Sequence, residues 1–313
     1  MQHVTPSVSW PQYKHLKTHF DTDRRTVWYY MNASPRPSFT TELLAEIRDF
    51  QSKTAAFLNE HATSSVPPLT YAVLASQVPG VFNLGGDLEL FEELIRSGDR
   101  TGLTAYAKLC IDAVWHNANA LGSNTLTTIS LVQGTALGGG FEAALSSDIV
   151  IAEKSARMAF PEIIFNLFPG MGAYHLLARR LSPAHTKQFM RNIKQYTADD
   201  LCEMGVIDMV VADGTGVAAV TNYIKNNDRR RIGLQAIENV HRQMHPVGYD
   251  SLTTVIQKWV DAAMQLTTRD LKMMGRLTSE QYRMSARSTH HNVTEPRYNI
   301  ADEVEHKTAV TMS

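Results

Sequence analysis

The sequence predicts an α/β layered core followed by an all-helical C-terminal region. Short segments rich in β-branched and aromatic residues alternate with segments of helical period up to about residue 213, which is typical of layered α/β folds. After about residue 215 only helical periodicity remains. The 313-residue chain is 43% hydrophobic, which supplies enough apolar material for a core. We expect a lead-in, a core, a helical region and a polar tail, at 1–25, 26–213, 214–288 and 289–313.

Short buried runs bounded by turn residues predict the strands of this core. Residues 1–24 are expected to be weakly structured, and the predicted strands follow at 26–32, 69–76, 126–134, 148–153 and 206–211. The apolar spacing after Thr40 predicts a first helix, and similar patterns predict helices at 88–97 and about 100–121. Ser182 followed by Pro183 predicts another helix start, and Thr197 predicts one that Gly205 closes.

Composition excludes several classes of function. The formal net charge is −1, which gives no general electrostatic case for nucleic acid or an anionic membrane. No segment approaches the ~18 apolar residues of a membrane span, and the first twenty residues lack a secretory core, so we expect a cytoplasmic protein. Cys110 and Cys202 lack a CxxC spacing and are expected to be reduced structural thiols. No HExxH or His/Cys cluster predicts a metal.

The stretch LGGGFEAALSSDIVIAEKSARMAFPEI, residues 137–163, carries the strongest chemical signal. Its glycine triplet follows a predicted strand and opens a helix, where unpaired backbone N–H groups can stabilise a negative oxygen. VFNLGGD at 81–87 has the same character, so the two loops could form an oxyanion hole together. A tight strand-to-helix turn is the alternative. Asp87 is expected to cap the next helix.

Two glutamates stand at the ends of this stretch. Glu142 and Glu162 both lie at predicted helix starts, where a surface carboxylate is favourable, and that remains the simple alternative. Their neighbours are apolar, however, and apolar surroundings raise a carboxyl pKa. Two such groups facing one substrate can act as an acid and a base.

These motifs resemble the crotonase (enoyl-CoA hydratase/isomerase) superfamily. ALGGGFEAALSSDIVIAEKSARMAFPEI, PGMGA and VFNLGGDL match its pattern over roughly residues 26–215. The resemblance implies a spiral of ββα turns with C-terminal helices used for trimer assembly. It assigns the oxyanion-hole amides to Leu84 and Gly139. It implies that Glu162 takes a Cα proton and that Glu142 protonates the leaving hydroxyl.

A closer resemblance is to the diffusible-signal-factor synthases of the RpfF type. It covers about residues 26–285 and includes RTVWYYMNASPRPSFT and PEIIFNLFPGMGAY. It implies dehydration of a 3-hydroxyacyl thioester on acyl carrier protein to the cis-2-enoyl thioester. Hydrolysis then releases a free fatty-acid signal. No cofactor is implied beyond the phosphopantetheine that carries the thioester.

A long acyl chain would need an apolar tunnel beside the thioester. The wall is expected to include five large side chains, with ordinary core packing as the alternative: Phe165, Leu167, Phe168, Met171 and Trp259. Four further substrate-binding residues are expected in the two glycine loops: Gly85, Gly86, Leu137 and Gly138. An acidic carrier protein would dock on a basic patch, for which the candidates are Arg179, Arg180, Lys187, Arg191, Arg229, Arg230 and Arg231.

Other functions stay open at this point. The nearest is an enoyl-CoA hydratase or hydroxyacyl-CoA dehydratase without thioesterase activity. The signal synthases also imply a sensor histidine kinase as partner, so a regulatory protein that binds such a kinase is a further alternative. A homotrimer or a dimer of trimers is expected. RNA binding, known among crotonase relatives, is disfavoured because no basic stretch with interleaved aromatics occurs.

Overall fold

The computed structural model describes residues 10–290, and the side chains of residues 10–284. Within that range six strands form one sheet in the order β1-β2-β3-β5-β7-β10, and four form a second in the order β4-β6-β8-β9. The strands are Leu16–Asp21 (β1), Thr26–Met31 (β2), Tyr71–Ser76 (β3), Gly80–Asn83 (β4), Thr127–Val132 (β5), Gly134–Leu137 (β6), Ile149–Glu153 (β7), Arg157–Ala159 (β8), Tyr196–Thr197 (β9) and Met209–Val211 (β10).

Helices cover the sheets and form the C-terminal region. They are Thr41–Glu60 (α1), Leu88–Ser97 (α2), Arg100–Ala118 (α3), Gly139–Leu145 (α4), Ala173–Ala178 (α5), Pro183–Met190 (α6), Ala198–Glu203 (α7), Gly216–Asn227 (α8), Arg231–Met244 (α9), Tyr249–Ala263 (α10) and Thr268–His290 (α11). Short 3₁₀ turns lie at Ala120–Gly122, Glu162–Phe165 and Asp228–Arg230. The predicted caps Ser182 and Thr197 are present, because each accepts a backbone N–H of its helix, and Thr40 caps α1 in the same way.

The chain winds through the two sheets in repeated ββα turns. Each of β3, β5 and β7 lies in the large sheet, and each continues into β4, β6 or β8 of the small sheet before helices return. The pairs β3–β5, β5–β7, β4–β6 and β6–β8 are all parallel. The carboxyl ends of β4, β6 and β8 therefore lie side by side. The predicted α/β fold with a spiral core and helical C-terminal region is confirmed.

The ends of the described chain differ from the sequence-based expectations. Residues 16–21 were expected to be weakly structured, but they form β1, which pairs antiparallel with β2 from Leu16↔Met31 to Asp21↔Thr26. This edge strand escaped the pattern because only Leu16 is buried and the residues after it are polar or partly exposed. The predicted polar tail lies outside the described residues from 291 onward, while residues 289 and 290 belong to α11.

The run predicted as one strand at 126–134 is two strands. It breaks after Val132, and Gly134, at φ +150°, starts β6 in the small sheet. Gly134 pairs with Gly80, which starts β4, and a Cβ at position 134 would overlap the carbonyl of Gly80. The sequence predicts a loop where β4 lies and only the end of a strand where β6 begins. Both strands have four residues, which is too short for an alternating pattern to be seen.

We predict that Gly134→Ala destabilises the protein by about 3 kcal/mol or more, because the new Cβ must displace the β4 backbone. The check is urea or thermal unfolding of the purified variant. Gly233→Ala is the matched control, since Gly233 is exposed on α9 and a Cβ there would meet no atom within 4 Å, so its stability is expected to be equal or slightly higher. Equal stability of both variants would contradict this account of the strand pair.

Candidate active site

Glu142 lies at the bottom of a pocket, in the first turn of α4. The helix begins directly after β6 because Gly138, at φ +51°, turns the chain. The Glu142 side chain is only 1% exposed, and its Oε1 accepts the backbone N–H of Ala173 at 2.8 Å. Burial raises the pKa of Glu142 to about 8, although backbone N–H groups of Ala173 and Met171 oppose that rise.

Glu162 reaches the same place from the next turn of the spiral. It begins the 3₁₀ turn after β8 and Pro161, and its Oε1 lies so close to Gly138 that a Cβ there would collide with it. Within the described residues its buried Oε2 has no hydrogen-bond partner. Burial and then the charge of Glu142 raise the pKa of Glu162 well above its usual range. The first ionisation therefore disfavours the second, so the pair tends to keep a proton.

The two glycine loops are in direct contact, as the sequence predicts. A Cβ on Gly85 would lie 2.8 Å from the carbonyl oxygen of Leu137 and 3.1 Å from the amide nitrogen of Gly139. A Cβ on Gly139 would lie 3.6 Å from the amide nitrogen of Gly86. Position 85 requires glycine, because φ is +88° there and a Cβ would push the loops apart, whereas a Cβ at position 139 would collide with Sδ of Met171.

The predicted donor Leu84 is not available in this structure. Its N–H donates to the carbonyl of Pro37 at 2.8 Å, and the N–H of Gly85 donates to Oδ1 of Asn83 at 2.8 Å. In the described part of the chain, the N–H groups of Gly86 and Gly139 donate to no protein acceptor. The donor pair is therefore corrected to Gly86 and Gly139.

The identity of residue 83 could have indicated that Gly86 is the free donor of this loop. An asparagine side chain often bonds to the backbone two residues later, which engages the amide of Gly85. The amide left free then lies beyond Gly85, towards Asp87. Asp87 is the predicted cap of α2, accepting the N–H of Leu90 at 3.2 Å, and it also forms a buried ion pair with Arg36 at 2.7 Å.

An apolar pocket extends from the two glutamates to the surface. Phe165, Leu167, Met171 and Trp259 line it, as do all four glycine-loop residues predicted to bind substrate. Phe168 does not line it, which corrects that prediction. The 3₁₀ turn directs Phe165 and Leu167 inward, whereas Phe168 is half-buried and packs against the core.

Apart from Trp259 of α10, the parts of the wall that come from helices were not predicted from the sequence. Further lining residues lie on α2, α3 and α11, and they include Leu88, Phe91, Tyr106, Ala107, Cys110, Leu277, Glu280, Gln281 and Met284. Helical period marked several of them as buried but could not say whether they face core or cavity. The C-terminal helix α11 is held there because Nε2 of Gln281 donates to the carbonyl of Leu84 at 2.9 Å.

The predicted thiols and basic residues lie outside the catalytic centre or have other partners. Cys110 and Cys202 are free thiols, and burial raises the pKa of Cys110. Of the predicted basic patch, Arg180 is engaged by Asp208 at 3.0 Å. Arg229 and Arg230 stand near the amino end of the large sheet, where Asp228 pairs with Arg25 just before β2. None of the predicted cations is a pocket-lining residue.

Two kinds of feature are absent from the described residues. No group of three or more His, Cys, Asp or Glu side chains is arranged to hold a metal ion between residues 10 and 290. Over the same residues, no helix combines the length and apolarity needed to cross a membrane.

Comparison with known proteins places the chain in a family. The profile of the enoyl-CoA hydratase/isomerase family matches residues 54–269, so the chain belongs to that family. The structure of DspI from Pseudomonas aeruginosa is similar, with a TM-score of 0.64 at 21% identity, covering 82% of this chain and 98% of that one. An enoyl-CoA hydratase from Bacillus halodurans gives 0.68 at 17% identity, covering 84% and 100%.

Curated relatives match over a shorter region. The alpha subunit of the fatty acid oxidation complex from Pseudomonas savastanoi pv. phaseolicola is 28% identical over 153 residues, which is 49% of this chain and 20% of that protein. The corresponding subunit from Pseudomonas syringae pv. tomato is 33% identical over 98 residues, 31% of this chain and 14% of that protein. The chain therefore matches about a fifth or less of the length of these relatives.

We predict that Glu142→Gln stabilises the protein increasingly as pH rises. The folded-state pKa of about 8 lies above the ordinary value of 4.5, so the protonated form is favoured by folding. The stability gained from that proton is complete below pH 4.5 and is lost as pH rises through 8. Thermal unfolding at pH 5 and pH 9 should show the gap between variant and parent widening by roughly 3 °C or more.

The control for this measurement is Glu60→Gln, which changes an exposed glutamate at the end of α1. Its difference from the parent should stay the same at both pH values. A constant difference for Glu142→Gln as well would contradict the raised pKa.

Proposed function

We propose that this protein dehydrates a medium- or long-chain 3-hydroxyacyl thioester and then hydrolyses the product to a free cis-2-enoic acid, a quorum-sensing signal. The observation that carries the proposal is the pair of Glu142, which is buried, and Glu162, which is half-buried with an unpartnered, buried Oε2, beside two free backbone donors in an apolar pocket. Membership of the enoyl-CoA hydratase/isomerase family supports the thioester chemistry.

The thioester carbonyl binds between the amides of Gly86 and Gly139. Both N–H groups lie at the contact of the two glycine loops and have no protein acceptor in the described structure. Donors fixed in this way stabilise the enolate oxygen that forms when Cα loses a proton. Loss of one such donor typically costs about 3–4 kcal/mol of transition-state stabilisation.

The two glutamates move the protons of the elimination. Glu162 takes the Cα proton and Glu142 gives a proton to the departing hydroxyl, which leaves as water. This assignment requires the shared proton to rest on Glu142 when substrate is bound. In the free pocket the backbone N–H groups at Glu142 favour its charged form, whereas Glu162 has an unpartnered oxygen. Substrate binding must therefore transfer the proton from Glu162 to Glu142.

Hydrolysis uses the same groups. One carboxylate removes a proton from water as its oxygen attacks the thioester carbonyl, and the Gly86 and Gly139 amides hold the resulting oxyanion. The carbon–sulfur bond then breaks, and the thiolate leaves with that proton as a thiol. The apolar walls, including Phe165 and Trp259, suit a long acyl chain that stays bound between the two steps.

The proposal extends to the surroundings of the enzyme. Acyl carrier protein supplies the substrate as a phosphopantetheine thioester, the chain assembles as a homotrimer or a dimer of trimers, and it works in the cytoplasm. A sensor histidine kinase is the proposed regulatory partner. The second candidate is an enoyl-CoA hydratase or hydroxyacyl-CoA dehydratase without hydrolysis, which the family match favours. Release of free fatty acid distinguishes the two.

We predict that Glu142→Gln and Glu162→Gln each lower formation of free 2-enoic acid at least about 10³-fold, because glutamine can neither donate nor accept the proton. The measurement is mass spectrometry of fatty acids released from 3-hydroxyacyl carrier protein by the purified proteins. Turnover near that of the parent in Glu162→Gln would sink the two-carboxylate mechanism. If the parent protein converts the 3-hydroxyacyl thioester to the enoyl thioester but releases no free acid, the second candidate function is favoured.

The two roles can be separated with a saturated acyl thioester in deuterated water. Such a compound has no hydroxyl to lose, so exchange at Cα reports proton abstraction without elimination. Glu142→Gln should keep this exchange and Glu162→Gln should lose it. The reverse pattern would exchange the two assignments.

A further inference from the structure

The outer face of α11 carries a stripe of exposed cations beside the pocket. Arg269, Lys272, Arg276 and Arg283 are all exposed, and their spacing of 3, 4 and 7 residues places them on one side of the helix. The neighbouring side of α11 carries Leu277, Gln281 and Met284, which line the pocket together with Glu280 at the edge of the stripe. One helix therefore presents an apolar wall to the substrate cavity and a positive face to solvent.

Most of this positive charge is not neutralised by neighbouring groups. Among the described residues, no ion pair within 4.0 Å involves Arg269, Lys272 or Arg276, although the charge of Arg269 acts on its neighbour Asp270. Glu280 beside the stripe pairs with Arg283. Two acidic side chains of the packed helix α2 have other partners: Glu89 contacts Arg36 at 3.1 Å and accepts the hydroxyl of Tyr282 at 2.9 Å, and Glu92 contacts Arg96 at 2.6 Å.

An apolar rim lies next to the same opening. Ile163 and Ile164 are 46% and 41% exposed, although they belong to the 3₁₀ turn whose other residues, Glu162 and Phe165, line the pocket. This turn packs against α11. The rim and the stripe together offer apolar and positive surface beside the pocket, whereas Arg229 and Arg230 lie towards the amino end of the large sheet.

We propose that the α11 stripe, defined as Arg269, Lys272, Arg276 and Arg283, docks an acidic carrier protein and directs its phosphopantetheine arm into the pocket. This inference rests on the proposed function, because it assumes a substrate tethered to a carrier. Charge complementarity selects the occupant: an acidic protein surface gains from a row of cations that is mostly unpaired, and such steering acts mainly on association. The α11 stripe replaces the basic patch predicted from the sequence as the proposed docking site.

The test compares one acyl group on two carriers. The Lys272→Glu/Arg276→Glu double variant is assayed with 3-hydroxydodecanoyl carrier protein and with the same acyl group on pantetheine. We expect kcat/KM for the carrier substrate to fall at least about 10-fold through KM, and kinetics with the uncharged pantetheine thioester to stay within about twofold. Raising salt should lower the parent's kcat/KM towards that of the variant.

The matched control is Arg229→Glu/Arg230→Glu, which reverses the same charge on an exposed turn away from the pocket lining. It should leave both substrates unchanged. Unaltered carrier kinetics in the α11 variant would overturn the docking site, as would an equal loss for both variants. A changed molecular mass by light scattering would instead assign the stripe to a subunit interface and also overturn it.

Binding of unacylated carrier protein, followed by fluorescence anisotropy, separates this inference from the proposed function. Binding that the α11 variant loses supports the docking site even if the parent releases no fatty acid. Failure of the parent to bind the carrier overturns the docking site. Release of free acid together with unchanged binding in the variant supports the function and rejects the stripe.

Discussion

The site depends on the coupling between two carboxyl groups that share one apolar pocket. Burial disfavours ionisation of Glu142 and Glu162, and the charge of Glu142 makes ionisation of Glu162 less favourable still. Such a pair holds a proton near neutral pH and can offer an acid and a base to one substrate. The apolar walls of the pocket keep the pKa of both carboxyl groups raised, because they limit solvation of the charged forms.

The spiral fold brings the pair together through backbone geometry. Parallel β4, β6 and β8 end side by side, so the loops that follow them meet in one place. The absence of side chains at positions 85 and 139 permits that contact. The amides of Gly86 and Gly139 remain free as donors. The helical region closes the pocket, because Gln281 of α11 bonds to the loop after β4. The proposed docking stripe lies on the outer face of that same helix.

Local patterns predicted much of this arrangement, and the exceptions have physical causes. Glu142, Glu162 and the two glycine loops could be predicted because local motifs mark each of them, and the convergence of the loops could be predicted because each follows a strand. The prediction of Leu84 as an oxyanion-hole donor was wrong because its N–H donates to the carbonyl of Pro37, which lies 47 positions earlier in the sequence. The strand β1 was missed because only Leu16 of it is buried, and the cavity face of α11 was missed because it is defined by contacts with distant elements. Phe168 shows that a bulky residue beside a site can face the core instead.

The most direct test of the central claim is infrared difference spectroscopy of the carboxyl groups at pH 7. Spectra of the parent minus Glu142→Gln and of the parent minus Glu162→Gln would be compared without substrate. The account predicts a protonated carboxyl band in the parent that changes in both variants, because the proton is held by the pair. Two fully ionised carboxylates at pH 7, with no protonated band lost in either variant, would contradict the account.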